Sequence, residues 1–341
     1  MGAPLTVGCI GAGYFSQFHY DAWSRISGAR PVAAVDQDIA KARETGLAAY
    51  SDAQAMLDAQ RPDIVDIITP PPTHLGLIKA ALAIRPKAIV CQKPFCTGLK
   101  EAELAVCLAN EAGVPLIVHE NFRFQPWYRY IKAEIEGGRL GDVQQVTFRL
   151  RPGDGQGPEA YLDRQPYFQT MERFLVHETA VHWIDTFRYL LGQPDAVFAD
   201  LRRMNPAIRG EDAGHILFAY PNGARAQFDG NRLLDHAAQN TRCTMGEALV
   251  EGTRGTLALA GDGSVRLREF GDLAEKIVLP PNEASGFGGD CVYHLQSHVV
   301  AALAGEAPFE NTAGDYLDVI RQVDAVYRSA EKGAWVSLSE G

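Results

Sequence analysis

The sequence lacks several features that mark secreted, membrane-spanning or nucleic-acid-binding proteins. Its six cysteines contain no CxxC pair, and we expect them to be free thiols in a reducing compartment. No apolar run approaches the roughly 20 residues that span a bilayer, and no basic segment followed by a long apolar run opens the chain, so we expect neither a membrane span nor export. Lysine and arginine number 32 against 42 acidic residues, and the net charge of −10 disfavours nucleic acid and anionic membranes as partners. We expect a cytoplasmic protein with a small polar ligand.

Length and apolar content predict two folded domains. A chain of 341 residues exceeds one ordinary core, and 46% hydrophobic and 22% charged residues are typical of globular proteins. Between Leu5 and Val118, short apolar runs alternate with amphipathic helical patterns, which is typical of βαβ units on a doubly wound parallel sheet. We therefore predict an α/β Rossmann domain at residues 1–121, with strands at Leu5–Ile10, Pro31–Val35, Ile64–Ile68, Ala88–Cys91 and Leu116–Val118.

The pattern changes after Asn121. A predicted helix at Pro126–Glu136 is followed by strand-like runs that are separated by turn sequences such as Pro221-Asn222-Gly223, which indicate hairpins. We predict an α+β domain at residues 122–341, built on a large, mostly antiparallel sheet, with further helices at Thr179–Leu191, Cys291–Leu303 and Ala313–Ala330. The segment Arg151–Glu172 is predicted to be a long loop with some helix, and loops of this length often carry function.

A glycine-rich turn, Gly11-Ala12-Gly13-Tyr14-Phe15-Ser16, follows the first predicted strand and precedes a helical pattern. This is the context of a dinucleotide-binding fingerprint. Gly11 permits the tight turn, Gly13 lets the backbone approach a pyrophosphate, and the helix N-terminus offers N–H groups and partial positive charge. Ser16 stands where the third Gly or Ala is usual and is small enough for close helix–strand packing. An ordinary glycine turn is the alternative.

An acidic residue follows the second predicted strand. Asp36 lies 23 positions after Gly13, where the fingerprint places the acid that binds ribose hydroxyls. A carboxylate there would repel a 2′-phosphate, and the next residues, Gln37-Asp38, supply no arginine to neutralise one, so NAD is predicted over NADP. A surface acid that caps the next helix is the alternative.

Two later segments are predicted to border the cofactor. The loop Thr69-Pro70-Pro71-Pro72-Thr73-His74 follows the third predicted strand, and its prolines keep the chain extended and remove N–H donors. The next strand leads into Gln92-Lys93-Pro94, and a lysine at the carboxyl end of a parallel strand points into the crevice where ligands bind. A solvated strand-end lysine is the alternative for Lys93. The residues expected at the cofactor are Gly11, Ala12, Gly13, Tyr14, Phe15, Asp36, Thr69, Pro70, Pro71, His74, Gln92 and Lys93.

Taken in order, the glycine turn, this proline loop, Gln92-Lys93-Pro94, the run Asn121–Pro126 and His182 resemble the Gfo/Idh/MocA oxidoreductases, the family of glucose–fructose oxidoreductase and inositol dehydrogenase. The resemblance covers nearly the whole chain. Its most specific element is the lysine–proline pair, which in the family is usually EKP; here Gln92 replaces the Glu and removes a negative charge beside Lys93. The resemblance implies hydride transfer to a nicotinamide ring, with Lys93 near the reacting hydroxyl or carbonyl, where it assists proton transfer.

The second predicted site is the run from His177 to Asp185. If it is helical, Glu178, His182 and Asp185 share one face at spacings of four and three. The resemblance implies that His182 is the general base or orients the hydroxyl, and that Glu178, standing where the family commonly has Asp, holds the substrate or the imidazole. A zinc site is the alternative, because carboxylate and histidine at this spacing can bind zinc. We predict no metal, because hydride transfer needs none.

Other side chains are candidates for the substrate. His177 is expected either to line the pocket or to be a satisfied core histidine. Arg123 resembles the family's arginine after the last Rossmann strand, and is expected to contact substrate or to form a structural salt bridge. Aromatic and bidentate donors on the long loop suit a polyhydroxylated ring; these are Tyr161, Arg164, Tyr167 and Arg173.

The predicted function is an NAD-dependent oxidoreductase that transfers hydride between a secondary alcohol of a sugar, cyclitol or related polyol and the nicotinamide. Two alternatives stay open. One is an NAD-dependent glycosidase that uses transient oxidation, and the other is a non-catalytic sensor that binds nucleotide and a protein partner. The resemblance also implies self-association through the second-domain sheet, as a homodimer or homotetramer.

Overall fold

In the computed structural model, which describes residues 3–283 and 286–338, the chain divides into two units. The first comprises the residues up to Asn121 together with Val292–Ile320, and the second comprises Phe122–Cys291 together with the residues from Arg321 on. No helix in these two described stretches is long and apolar enough to cross a membrane. The assignment of cofactor binding to residues 1–121 and of substrate binding to residues 122–341 stays a prediction.

A parallel sheet forms the centre of the first unit. Its elements are β1 (Leu5–Ile10), α1 (Ser16–Arg25), β2 (Ala29–Val35), α2 (Ile39–Glu44), β3 (Ala48–Tyr50), α3 (Ala53–Gln60), β4 (Ile64–Ile67), α4 (His74–Ala83), β5 (Ala88–Gln92), α5 (Leu99–Ala112) and β6 (Leu116–His119). The strand order is β3-β2-β1-β4-β5-β6, with every neighbouring pair parallel. This order confirms the predicted doubly wound sheet. Strands β4 and β5 are buried along their whole length, as expected for strands covered on both faces.

The differences from the predicted elements of this unit are local. A short 3-10 helix at Pro71–Thr73 lies within the predicted proline loop, and α4 begins directly after it at His74. The elements α2, β3 and α3 were not predicted from the sequence. They are only six, three and eight residues long, too short for hydrophobic periodicity to reveal them.

The second unit is built on a mixed sheet. From Pro126 on, its elements are α6 (Pro126–Glu136), β7 (Val143–Leu150), α7 (Val181–Leu191), β8 (Ala196–Arg202), β9 (Ala213–Ala219), β10 (Arg225–Asn231), β11 (Gly246–Gly252), β12 (Gly255–Leu259), β13 (Val265–Glu269), β14 (Lys276–Leu279) and β15 (Val336–Ser337). Between β14 and β15 the chain forms α8 (Cys291–Leu303) and α9 (Ala313–Lys332); α8 from Val292 on and α9 up to Ile320 belong to the first unit. The strand order is β14-β13-β12-β11-β7-β10-β9-β8-β15, and β7 and β10 form the parallel pair in an otherwise antiparallel sheet. This confirms the predicted large, mostly antiparallel sheet; β14 and β15 were not predicted.

Alternating burial places helix α7 on one face of this sheet. Every second residue of β10 is buried, which is the pattern of a strand with one covered face. On that face Trp183 of α7 stacks on Phe148 with ring centroids 4.1 Å apart and lies 5.5 Å from Phe228. Phe187, one turn further along α7, meets Phe218 edge to face. The aromatic core of the second unit thus fixes the helix that carries His182.

Candidate functional site

The glycine turn has the geometry that the fingerprint requires. Gly11 has φ +116°, and a Cβ atom there would lie 2.9 Å from the carbonyl oxygen of Ile68, so only glycine fits. A Cβ at Gly13 would meet nothing within 4 Å, so the fold itself leaves open space beside this residue. The Ser16 hydroxyl donates to the Gly13 carbonyl at 2.7 Å and closes the turn. The N-cap of α1 is Phe15, whose side chain cannot accept hydrogen bonds from the first-turn N–H groups. These features fit the pyrophosphate of a dinucleotide.

Asp36 is held against this turn. One carboxylate oxygen accepts the N–H of Ala12 at 2.9 Å, and the other accepts the N–H of Asp38, also at 2.9 Å. The following helix, α2, is capped by Asp38, whose side chain accepts from Ala40. Asp36 is therefore not the N-cap of that helix. Its contact with ribose hydroxyls stays a prediction.

His74 is a buried link between two loops. Its Nε2 lies 2.7 Å from the carbonyl oxygen of Thr69, and its Nδ1 accepts the N–H of Cys96 at 3.2 Å. Burial lowers the pKa of His74, which agrees with a neutral ring that uses one nitrogen as donor and the other as acceptor. A direct hydrogen bond from His74 to a cofactor stays a prediction, and it would have to replace one of these two contacts. Of the other predicted cofactor residues here, Tyr14 and Pro70 are exposed and Thr69 and Pro71 are half-buried.

Lys93 follows the carboxyl end of β5. Its backbone N–H donates to the side-chain oxygen of Gln92 at 2.8 Å, and Gln92 is 8% exposed. The residues Gly11, Asp36, Thr69 and Lys93 come after β1, β2, β4 and β5 respectively, and these strands are parallel neighbours in one sheet. Because the carboxyl ends of parallel strands share one edge, the structure brings these predicted cofactor residues to the same edge of the sheet.

In the second unit, His182 lies in the first turn of α7 and is 7% exposed. Its imidazole stacks on the ring of Phe122, with centroids 3.8 Å apart and planes 4° from parallel. Trp183 meets Phe122 edge to face. This packing holds the imidazole in one plane.

The segment before His182 is a π-helix and not the regular α-helix predicted from Thr179 on. It spans Leu175–Ala180, and the N–H of Val181 bonds to the carbonyl of Val176, five residues earlier. An extra residue in this turn means that Glu178 and His182 do not have the relation that i, i+4 spacing gives in an α-helix. His182 and Asp185 both lie in α7 and keep the predicted spacing of three.

A buried carboxylate, which the sequence reasoning missed, holds the start of the π-helix. One oxygen of Glu211 accepts the N–H groups of Phe174 and Val176 at 3.2 and 3.1 Å, and the hydroxyl of Tyr327 donates to it at 2.6 Å. The Tyr327 oxygen in turn accepts the N–H of His177 at 3.3 Å. His177 is half-buried and tied to the fold through its backbone; its predicted role toward substrate is untested.

Glu178 lies near Tyr167 of the long loop. Burial and the negative charge of Glu178 raise the pKa of Tyr167 to about 12, so the phenol stays protonated at neutral pH. Tyr167 is 53% exposed and Glu178 is half-buried, and the Tyr167 oxygen accepts a hydrogen bond from Gln165 at 3.0 Å. The pair offers a hydrogen-bond donor beside a carboxylate acceptor, an arrangement that suits a hydroxylated ligand.

Two of the predicted substrate residues, Tyr161 and Arg164, hold the long loop in place, and their roles toward substrate stay predictions. Asp154 accepts hydrogen bonds from Arg164 at 2.5 Å and from Arg232 at 2.9 Å, and Tyr161 donates to the same carboxylate at 3.1 Å. Burial alone would raise the pKa of Asp154, but the charge of Arg232, with that of Arg164, lowers it below its ordinary value. Arg232, 3% exposed, also donates to Thr179 of the π-helix at 2.5 Å. No sequence motif marked Arg232, because its partners lie 53 to 78 positions away.

The two remaining arginines form ion pairs within the second unit. Arg123 binds Asp185 through two parallel contacts of 2.8 and 2.5 Å, which is the structural salt bridge that the sequence left open. Arg173 pairs with Asp324 at 3.0 Å at the surface. Roles in substrate binding for these two arginines stay predictions. Across residues 3–283 and 286–338, no three or more His, Cys, Asp or Glu side chains are grouped so that they could hold a metal ion.

Comparisons with known proteins agree with this geometry. The family described as "Oxidoreductase family, NAD-binding Rossmann fold" matches residues 5–120, and the GFO/IDH/MocA C-terminal domain matches residues 128–258. A D-apiose dehydrogenase from Paraburkholderia graminis is 34% identical over 96% of this chain and 88% of its own length, and one from Rhizobium rhizogenes is 30% identical over 96% of both. An oxidoreductase from Agrobacterium radiobacter, solved in complex with NAD+, L-tartaric acid and magnesium, is similar with a TM-score of 0.89 and 28% identity over 99% of both chains.

Proposed function

The chain belongs to the Gfo/Idh/MocA family of NAD-binding oxidoreductases, and from that premise we propose that it oxidises a CH–OH group of a sugar or related polyol. The observation that carries the proposal is the common sheet edge of the first unit. There the glycine turn and Asp36, which suit a dinucleotide, share the edge with Lys93, a group that can take part in proton transfer.

The chemistry needs one proton acceptor and a fixed hydroxyl. NAD, when bound, supplies the hydride acceptor. A secondary alcohol releases hydride readily only as its hydroxyl proton leaves, and we assign that proton to His182 or Lys93. The imidazole plane of His182 is fixed by Phe122, which supports a directed transfer. We assign Glu178 to hold either a substrate hydroxyl or the imidazole of His182.

The second unit suggests how a polyhydroxylated substrate is recognised. Tyr167 as a donor and Glu178 as an acceptor could each bind a hydroxyl group. We assign Tyr161 and Arg164 to holding the long loop in place, because both side chains donate hydrogen bonds to the carboxylate of Asp154. D-apiose is the first substrate to test, because two relatives at 34% and 30% identity carry the name D-apiose dehydrogenase.

A spectrophotometric screen tests the proposal. The purified protein is given NAD with D-apiose, myo-inositol and a panel of other sugars, and the NADH absorbance is followed with Lys93→Met as the inactive control. We expect net NADH formation with at least one free sugar or polyol. Release of a sugar from a glycoside without net NADH would favour the glycosidase alternative. Tight NAD binding without turnover of any of these compounds would favour the sensor and overturn the proposal.

Two further properties are part of this proposal. The sheet face opposite α7 carries Leu249, which is 44% exposed, beside charged side chains such as Arg149 and Glu247, and we assign this face to a homodimer or homotetramer contact. Light scattering of the purified protein measures the oligomeric state, and a monomer at micromolar concentration would contradict this assignment.

All six cysteines are free thiols, which suits a reducing cytoplasm.

A further inference from the structure

A chain of buried hydrogen bonds in the first unit ends at the backbone of Lys93. It starts at Asp66 in β4, passes through His19 in α1 and the side chain of Gln92 in β5, and ends at the N–H of Lys93. His19 and Asp66 are fully buried. Asp66 Oδ2 lies 2.8 Å from His19 Nδ1, His19 Nε2 lies 3.0 Å from Gln92 Nε2, and Gln92 Oε1 accepts the Lys93 N–H at 2.8 Å.

The donors at the two ends fix the direction of every bond in this chain. A backbone N–H only donates, so the side-chain atom of Gln92 that faces Lys93 is the oxygen, and its NH₂ group faces His19. His19 Nε2 must then accept, which leaves the ring proton on Nδ1, where it is donated to Asp66. At the far end Trp23 donates its indole N–H to the same Asp66 oxygen at 2.7 Å. His19 is therefore neutral and held as a single tautomer.

The chain joins the nucleotide-binding turn to the lysine. His19 lies in the first turn of α1, three residues after Ser16, and α1 begins directly after the glycine turn. The His19 ring is also packed against that of His119, with centroids 4.0 Å apart, and against Phe15 at 5.7 Å. A buried, hydrogen-bonded ring thus connects the helix expected at the pyrophosphate with the strand end that carries Lys93.

We propose that His19 and Asp66 are positioning residues that set the place of Lys93 relative to the bound nucleotide, through the neutral Nδ1–H tautomer of His19. This inference rests on the proposed function, in which Lys93 takes part in proton transfer. Neither residue touches the reacting atoms; they act through the amide of Gln92. Displacement of a catalytic group by about 1 Å can lower a rate by about 100-fold, so the effect of losing the chain is measurable.

Gln92 determines the protonation state of His19. In the Q92E variant, one oxygen of the new carboxylate keeps the N–H of Lys93, and the other faces His19 Nε2. Two acceptors then face the two ring nitrogens, so a further proton is needed between them, and we expect it on the ring, the stronger base, as an imidazolium between two carboxylates. The native glutamine therefore predicts a neutral His19, and Q92E predicts a charged one.

Nitrogen NMR of the histidine-labelled protein tests the tautomer without any substrate. At neutral pH we expect a signal with a protonated Nδ1 and an unprotonated Nε2, assigned to His19 by its absence in His19→Gln. In Q92E the same histidine is expected to be protonated on both nitrogens. His215→Gln, a change at a surface histidine of the second unit, is the control and leaves the signal in place. A protonated Nε2 in the native protein would overturn the inference.

Steady-state kinetics test the positioning role. We expect His19→Leu to lower kcat by about 10- to 100-fold with little change in KM for NAD, and His19→Gln to recover most of the loss, because its amide can donate to Asp66 and accept from Gln92. Thermal melting confirms that both variants are folded. If Lys93→Met keeps turnover, the proposed role of Lys93 fails. If Lys93→Met is inactive and a folded His19→Leu keeps its full kcat, this inference fails while the proposed function stands.

Discussion

The Asp36 carboxylate accepts the backbone N–H of Ala12 at 2.9 Å, so the acid that follows β2 is held against the turn that follows β1. This contact fixes a negative charge beside the expected ribose. We predict that the protein binds NAD at least about tenfold more tightly than NADP, and that Asp36→Ala reduces this preference, because the repulsion of the 2′-phosphate is lost. Titration of both nucleotides measures the ratio.

Asp38→Ala is the matched control for this prediction. Asp38 is also an acid of the same loop, but it caps α2 through Ala40. Its loss is expected to destabilise the helix by about 1 kcal/mol and to leave the NAD to NADP ratio unchanged. Equal affinity of the native protein for both nucleotides would contradict the assignment of Asp36.

The two glycines of the turn are predicted to respond differently to alanine. Gly11→Ala forces a side chain into φ +116° and to within 2.9 Å of Ile68, so we expect a loss of stability of about 1–3 kcal/mol. Gly13→Ala meets no neighbour within 4 Å, so its melting temperature is expected to stay near that of the native protein while NAD affinity falls. Melting curves and NAD titrations of both variants separate these effects. Unchanged NAD affinity in Gly13→Ala would show that the open space at this glycine is not the nucleotide site.

Lys93→Ala and His182→Ala are predicted to keep NAD binding and to lose most of their turnover, by about 100-fold or more, because each variant removes a group that is proposed to take part in transfer of the hydroxyl proton. Initial rates of NADH formation and NAD titrations measure the two properties. Lys87→Ala is the matched control. Lys87 immediately precedes β5, whereas Lys93 immediately follows it, and Lys87 forms an ion pair with Asp63 at the surface. Near-normal turnover in both active-site variants would remove these residues from the mechanism.

Asp154→Asn is predicted to destabilise the second unit by about 3–5 kcal/mol, because Arg232 would remain buried without its carboxylate. Chemical denaturation measures the loss. Since the pKa of Asp154 is lowered in the folded protein, its contribution is present above the unfolded value of about 3.9 and is lost as the pH falls below it. The difference between the native protein and the variant should therefore shrink below about pH 4. Asp324→Asn, at an exposed ion pair, serves for comparison and should change stability by about 1 kcal/mol or less.

The sheet edge of the first unit could be predicted from the sequence because each of its residues follows a recognisable strand. Gly11, Asp36 and Lys93 come directly after apolar runs, and parallel strands end at one edge, so their grouping follows from topology alone. The tautomer of His19 could not be predicted in this way. It depends on Gln92, which lies 73 positions away, and on the atom that a backbone N–H selects.

The second unit shows where local patterns fail. The α-helical pattern around His182 was visible, but the π-helix before it depends on Glu211 and Tyr327, which come from distant parts of the chain. Composition suggests the arginines of the long loop as substrate ligands, but it does not reveal their partners within the fold. Only the fold shows that Arg164 is already bound to Asp154.

The π-helix at Leu175–Ala180 has a consequence for how relatives of this chain diverge. A π turn contains one residue more than an α turn, so the deletion of a single residue would restore a regular helix. The side chains before the deletion would rotate about the helix axis by about 100°, and a different residue would then take the place of Glu178. Within such a lineage, a one-codon change in length would therefore replace the residue at the position of Glu178, with no substitution there.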